Sequence, residues 1–281
     1  MRRARFGVMI GSLATAALSI SGCSPSPPDN AAASNDATDA EAASFVNRMA
    51  GEEAPVPAGK PFAVNEKTDL LEFTYAYPGE AAAVPALASK LDKAMAEAKA
   101  NALKMARQDQ QSAKESGYPF RPHSLETHWT VSADTPALLA LKSETYIFTG
   151  GAHGMTGYDT LLWDRHRKMQ VSFAVMMTSP AAFAEAIHDR FCKELDRQRA
   201  KKRGTPVVRG DDDFTKCIDP MKEVLVLTSK DGKLIDGVTV LVGPYSAGPY
   251  AEGSYDVAIP IDAAIRNAIK TEYQNAFVAA P

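Results

Sequence analysis

The middle of the chain reads Leu138-Leu139-Ala140-Leu141-Lys142-Ser143-Glu144-Thr145-Tyr146-Ile147-Phe148, then Thr149-Gly150-Gly151-Ala152-His153-Gly154, then, from Gly157, Gly157-Tyr158-Asp159-Thr160-Leu161-Leu162-Trp163. Two runs of strand length flank a segment whose glycines supply the positive φ that a turn demands. Neighbouring strands joined by a turn run antiparallel, so the chain is expected to contain an antiparallel or mixed sheet. Upstream, Thr68 to Tyr77 alternates, with Leu71, Phe73, Tyr75 and Tyr77 opposed to Glu72, Thr74 and Ala76, as in a half-buried strand. Val84, Leu87, Leu91, Met95, Ala98, Ala102 and Met105 then recur at helical spacing until Gly117 and Pro119 stop the helix. Ser124 to Ser132 is a further strand.

Downstream, Ser179 and Pro180 suit the N-cap and first position of a helix whose apolar stripe is Phe183, Ile187, Phe191 and Leu195. Lys222–Thr228 and Lys233–Val242 are read as strands paired across Lys230-Asp231-Gly232, and a last helix is expected from Asp262 to Tyr273. This order predicts an α+β fold, an antiparallel or mixed sheet with helices packed on one face and two lobes sharing one core.

The N-terminal part gives an address. Arg2, Arg3 and Arg5 precede an apolar stretch from Phe6 to Ile20, which has the form of a secretory leader. Ile20-Ser21-Gly22-Cys23 resembles a bacterial lipobox, which implies that Cys23 is the lipidated first residue of the mature protein. Loss of the leader's three arginines takes the formal charge from −3 to −6 and makes nucleic acid a poor partner. From Ser24 to about Gly59 the chain is rich in Pro, Ala, Ser, Asn, Asp and Glu, as a tether is. The expected organisation is a signal peptide at 1–22, a lipidated Cys and tether at 23–60, an N-terminal lobe at 61–165 and a C-terminal lobe at 166–281. The expected location is the periplasmic face of a membrane, the outer one by preference, held by lipid at Cys23.

Apart from Cys23, only Cys192 and Cys217 occur, and an even remainder in an exported chain points to a disulfide. Catalytic signatures are missing: there is no HExxH, paired CxxC, GxSxG or Walker loop. No metal, cofactor or catalytic residue is assigned. His123 and His128 would lie on opposite faces of a regular strand, which argues against a metal pair. Asp211-Asp212-Asp213 is read as a solvated acidic loop, and the cations from Arg197 to Arg203 as partners of a helix C-terminus. Gly243-Pro244-Tyr245-Ser246-Ala247-Gly248-Pro249-Tyr250-Ala251-Glu252-Gly253-Ser254-Tyr255 spaces three tyrosines five apart. They either present rings that stack on a ligand or cover the core with their hydroxyls outward.

Tyr146 through Gly154, followed by the tyrosine-rich run and Val257-Ala258-Ile259-Pro260, resembles an extracytoplasmic family of undefined activity. It is found in the non-catalytic part of PdaC-type peptidoglycan deacetylases and in the extracellular half of RsiV, a lysozyme-sensing anti-sigma factor. The resemblance covers about residues 65 to 275 and implies an envelope-facing α+β module that binds a protein such as lysozyme, or peptidoglycan. The deacetylases' zinc-binding catalytic pattern is not matched, and the leader takes the place of the sigma-binding segment. The candidate binding residues are Gly150, Gly151, His153, Gly154, Tyr245 and Tyr250. Two alternatives accompany this reading: a wall-directed hydrolase with His153 as general base, which needs a carboxylate or nucleophile beside it, and a structural lipoprotein without a ligand.

Overall fold

The computed structural model describes residues 59–279, so the leader, Cys23 and nearly all of the tether lie outside the described residues. A six-stranded sheet is built in sequence order from β1 (Phe62–Lys67), β2 (Leu71–Tyr77), β3 (His123–Asp134), β4 (Leu138–Phe148), β5 (Met155–Asp164) and β6 (Met169–Val171). All neighbours are antiparallel except β2 and β3, which are parallel and connected through α1 (Gly79–Ala82) and the 32-residue helix α2 (Pro85–Ser116). A parallel pair needs such a crossover, whereas β4 and β5 need only the turn at 149–154. α2 starts with proline at its first position and stops at Gly117, whose φ of 73° closes the last turn in the left-handed conformation.

The second half supplies α3 (Phe173–Met176), α4 (Pro180–Arg203) and an antiparallel three-stranded sheet of β7 (Val224–Thr228), β8 (Gly237–Val242) and β9 (Tyr255–Pro260). The Ser179 hydroxyl accepts from Ala182 N at 3.0 Å and so caps α4, which ends at left-handed Gly204. The α+β expectation is met by a mixed sheet and an antiparallel sheet, each with one long helix packed on it.

The two hydrophobic clusters meet across the six-stranded sheet. Leu139, Leu141, Leu161 and Trp163 belong with α2 and β2, while Leu138, Ala140 and Leu162 belong with α4 and the three-stranded sheet. Alternation of side chains along a strand sends successive residues to opposite faces, so these strand ends are apolar on both sides. β7 touches β3, β4 and β5 there.

Several boundaries differ from expectation. The β7–β8 hairpin forms, but its loop runs from 229 to 236 because Ile235 is buried and bridges Phe277. Gly232, at φ 70°, still turns that loop. The expected last helix is split into α5 (Ala263–Asn267) and a 3₁₀ segment (Thr271–Ala276), because Ile269 between them bridges Met177 and the Lys270 amide donates to Met176 O. Ile265, Ile269 and Tyr273 are nevertheless all buried. Three strands escaped the reading: β1, the three-residue β6, and β9, whose alternating Tyr255, Val257 and Ile259 are buried.

Candidate functional site

The β4–β5 turn and the loop after β8 come together although some 90 residues separate them. The His153 and Tyr250 rings stack with centroids 3.8 Å apart and planes 19° apart. Tyr245 closes the group, its centroid 6.3 Å from His153 and 5.7 Å from Tyr250. His153 Nδ1 lies 2.9 Å from Gly154 O. A carbonyl only accepts, so that contact assigns the imidazole proton to Nδ1 and leaves Nε2 as an acceptor. The Tyr245 hydroxyl, 3.4 Å away, is placed to donate to it. The Tyr250 hydroxyl donates to Gly154 O at 2.9 Å.

The glycines serve different ends. Gly150 has φ 86°, as the turn reading requires, and Gly151 has open space around it. A Cβ at Gly154 would stand 2.3 Å from the outer edge of the Tyr146 ring, so a larger residue there would displace that ring. Arg121 steadies the turn from outside by donating to Gly151 O at 3.0 Å and lying over the Phe148 ring. Tyr245 has φ 70°, in the left-handed region that a bulky side chain rarely occupies, and is 49% exposed. Such backbone strain persists only where its surroundings enforce it, and it clusters at functional sites.

The loop that carries Tyr245 is held by the basic end of α4. Arg199, fully buried, donates to Ala247 O at 2.8 Å and to Lys216 O at 2.9 Å. Arg203 grips Glu252 with two hydrogen bonds of 2.8 and 3.0 Å, and Lys202 donates to the carbonyls of Glu252 and Ser254. Tyr255 donates to Glu252 from below, and Lys202 sits over its ring. Burial, reinforced by the Glu252 carboxylate, pushes the Tyr255 phenol up to about 12. Burial also opposes ionisation of Glu252, but hydrogen bonds from Arg203 and Tyr255 outweigh it and hold the carboxyl below its ordinary range. These side chains were read in the sequence as helix-end charges; the carbonyls they hold are backbone groups that no residue pattern displays.

Among the described residues, no carboxylate makes a hydrogen bond to His153; its partners are a carbonyl and a phenol. The arrangement is suited to stacking and edge hydrogen bonding. Elsewhere, His123 is buried and His128 exposed, on opposite faces of β3. Within the acidic loop, Asp212 accepts from the Phe214 amide and the Thr215 hydroxyl, and Asp213 pairs with Lys216. Cys192 and Cys217 form a disulfide with Cα atoms 5.4 Å apart. His188 lies beside them in the one metal-like grouping among the described residues, but both sulfurs are bonded to each other.

Residues 64–156, from β1 through the turn to the start of β5, match the family model described as Deacetylase PdaC. A crystal structure of a DUF3298 family protein from Pseudomonas aeruginosa PAO1 shares 19% sequence identity, with a TM-score of 0.52 over 81% of this chain and 99% of that one. A DUF3298 family member from Bacteroides fragilis NCTC 9343 shares 16% identity, with a TM-score of 0.47 over 79% and 98%. No curated protein matches. Residues 64–156 are thus similar to the PdaC model, in a chain whose fold is shared with a DUF3298 family protein.

Proposed function

We propose that the chain is a lipid-anchored module of the cell envelope that binds cell-wall glycan through His153, Tyr245 and Tyr250. The observation that carries this reading is the convergence of three aromatic rings from two distant loops, with Tyr245 exposed at a strained φ. A pyranose offers an apolar face to such rings and hydroxyls to the phenol and imidazole edges. The disulfide fits an oxidising compartment outside the cytoplasm, and the lipobox at Cys23 supplies the anchor, at the outer membrane by preference.

Calorimetric titration with muropeptides and with lysozyme tests the reading. Tyr245→Ala and His153→Ala are each expected to weaken muropeptide binding about 2- to 13-fold, from the roughly 0.5–1.5 kcal/mol typical of an aromatic contact. Binding of lysozyme alone would shift the ligand from glycan to protein, and no heat with either would remove both. Labelling of the exported protein with a clickable fatty acid, lost in Cys23→Ser, tests the anchor.

A further inference from the structure

We infer that the slot between α2 and the six-stranded sheet is a second binding site, for a small, uncharged, flat and mainly apolar molecule carrying a hydrogen-bond acceptor. It shares no lining residue with the aromatic cluster and does not depend on the reading above.

The slot originates in the helix sequence. Near its start α2 buries Leu87 and Leu91 against the sheet, and both are 1% exposed. Further along, Ala94, Ala98 and Ala102 offer only a methyl group each. A space of about 460 Å³ opens there, within the range of small-molecule pockets. Strand register sets its floor: Tyr75, Thr127 and Thr145 are successive partners across β2, β3 and β4, and Ser143 pairs with Asp159 of β5. Trp129 forms part of the wall, and Met105 and Ile147, each nearly half exposed, lie at the rim.

Inside these apolar walls are hydrogen-bond donors with capacity to spare. The Thr127 and Thr145 hydroxyls lie 3.0 Å apart and share one hydrogen, which leaves the second proton for another acceptor. Trp129 Nε1 donates to the Tyr75 hydroxyl at 3.0 Å, which leaves the phenol proton in the same position. His123 lines the slot at 2% exposure. Its Nε2 lies 3.0 Å from a carboxylate oxygen of Asp109 on the helix. No lysine or arginine lines the slot, whereas Asp159 does, so an anionic ligand would meet no permanent positive charge.

The dye 6-propionyl-2-dimethylaminonaphthalene is uncharged, flat and carries one carbonyl acceptor. Titrated into the full chain, it should show saturable, blue-shifted emission and energy transfer from tryptophan. Ala98→Phe fills the slot and should weaken binding at least tenfold with the far-ultraviolet circular dichroism unchanged. Ala102→Leu replaces it if that variant does not fold. Trp163→Phe, which removes the tryptophan outside the slot, should keep both the binding and most of the transfer. Absence of saturable binding overturns the proposal, as does binding that the slot-filling variant leaves unchanged. Tighter binding of the anionic dye 1-anilinonaphthalene-8-sulfonate at the same place overturns the uncharged class.

Discussion

At Tyr245 the backbone takes a φ of 70°, a conformation that costs an L-residue with a Cβ about 1–2 kcal/mol. Glycine would avoid that cost. If the tyrosine were present only to cover the core, Tyr245→Gly would lower stability through lost packing; the side chain is 49% exposed, so little packing is there to lose. Urea denaturation should therefore show Tyr245→Gly unchanged or about 1 kcal/mol more stable, while muropeptide titration shows weakened binding. A loss of more than 1 kcal/mol would make the residue structural. Gly150 and Tyr245 share a left-handed backbone, but only the first could be read in the sequence. Glycine at a turn announces positive φ, whereas a tyrosine forced into it reflects contacts made elsewhere. The contact between position 154 and the Tyr146 ring is hidden in the same way, because it follows from where that ring lies.

The helix α4 and the loop after β8 act as one device. The charges at the helix end stay near the carbonyl-rich C-terminus, as the dipole argument expects, and they also pin the loop that presents Tyr245 and Tyr250. The Glu252 carboxyl is held below its ordinary 4.5 in the folded state, so its contribution to stability is complete above pH 4.5 and is lost as pH falls through the folded value. Glu223, which burial pushes above 4.5, has the opposite sign: its contribution is complete below pH 4.5 and fades as pH rises. Thermal unfolding below pH 4.5 should show the parent destabilised on acidification more steeply than Glu252→Gln. Identical slopes would remove the Arg203–Glu252 pair as the clamp. Farther back along α4, the disulfide to Cys217 fastens the poorly patterned segment after the helix to the helix itself.

Across the whole molecule, the two hydrophobic clusters share β4 as a wall, with Leu138 facing one and Leu139 the other. Clusters divided by a common strand cannot lose it independently. Unfolding is therefore expected to be one cooperative transition, and Leu138→Ala and Leu139→Ala should each lower stability by about 2–5 kcal/mol with coincident shifts by near- and far-ultraviolet circular dichroism. Two separated transitions, each moved by only one substitution, would show independent lobes.

The α+β class, α2, α4, the central turn and the disulfide pairing were legible in the sequence. Periodicity, caps, glycines and a single pair of cysteines are local properties or leave one choice. The aromatic group was legible only as two separate motifs, Gly150 to Gly154 and Tyr245 to Tyr250. Their meeting depends on the β4–β5 turn and the loop after β8 reaching the same place, which is a property of strand order and of the α4 clamp. The slot under α2 was not legible at all: its alanines read as helix formers, and its floor exists only once four strands come into register. Residue type sets what a segment does with its own neighbours. Which distant side chains share a surface is decided by packing, where the free energy of closing long loops is met by burial that no local pattern contains.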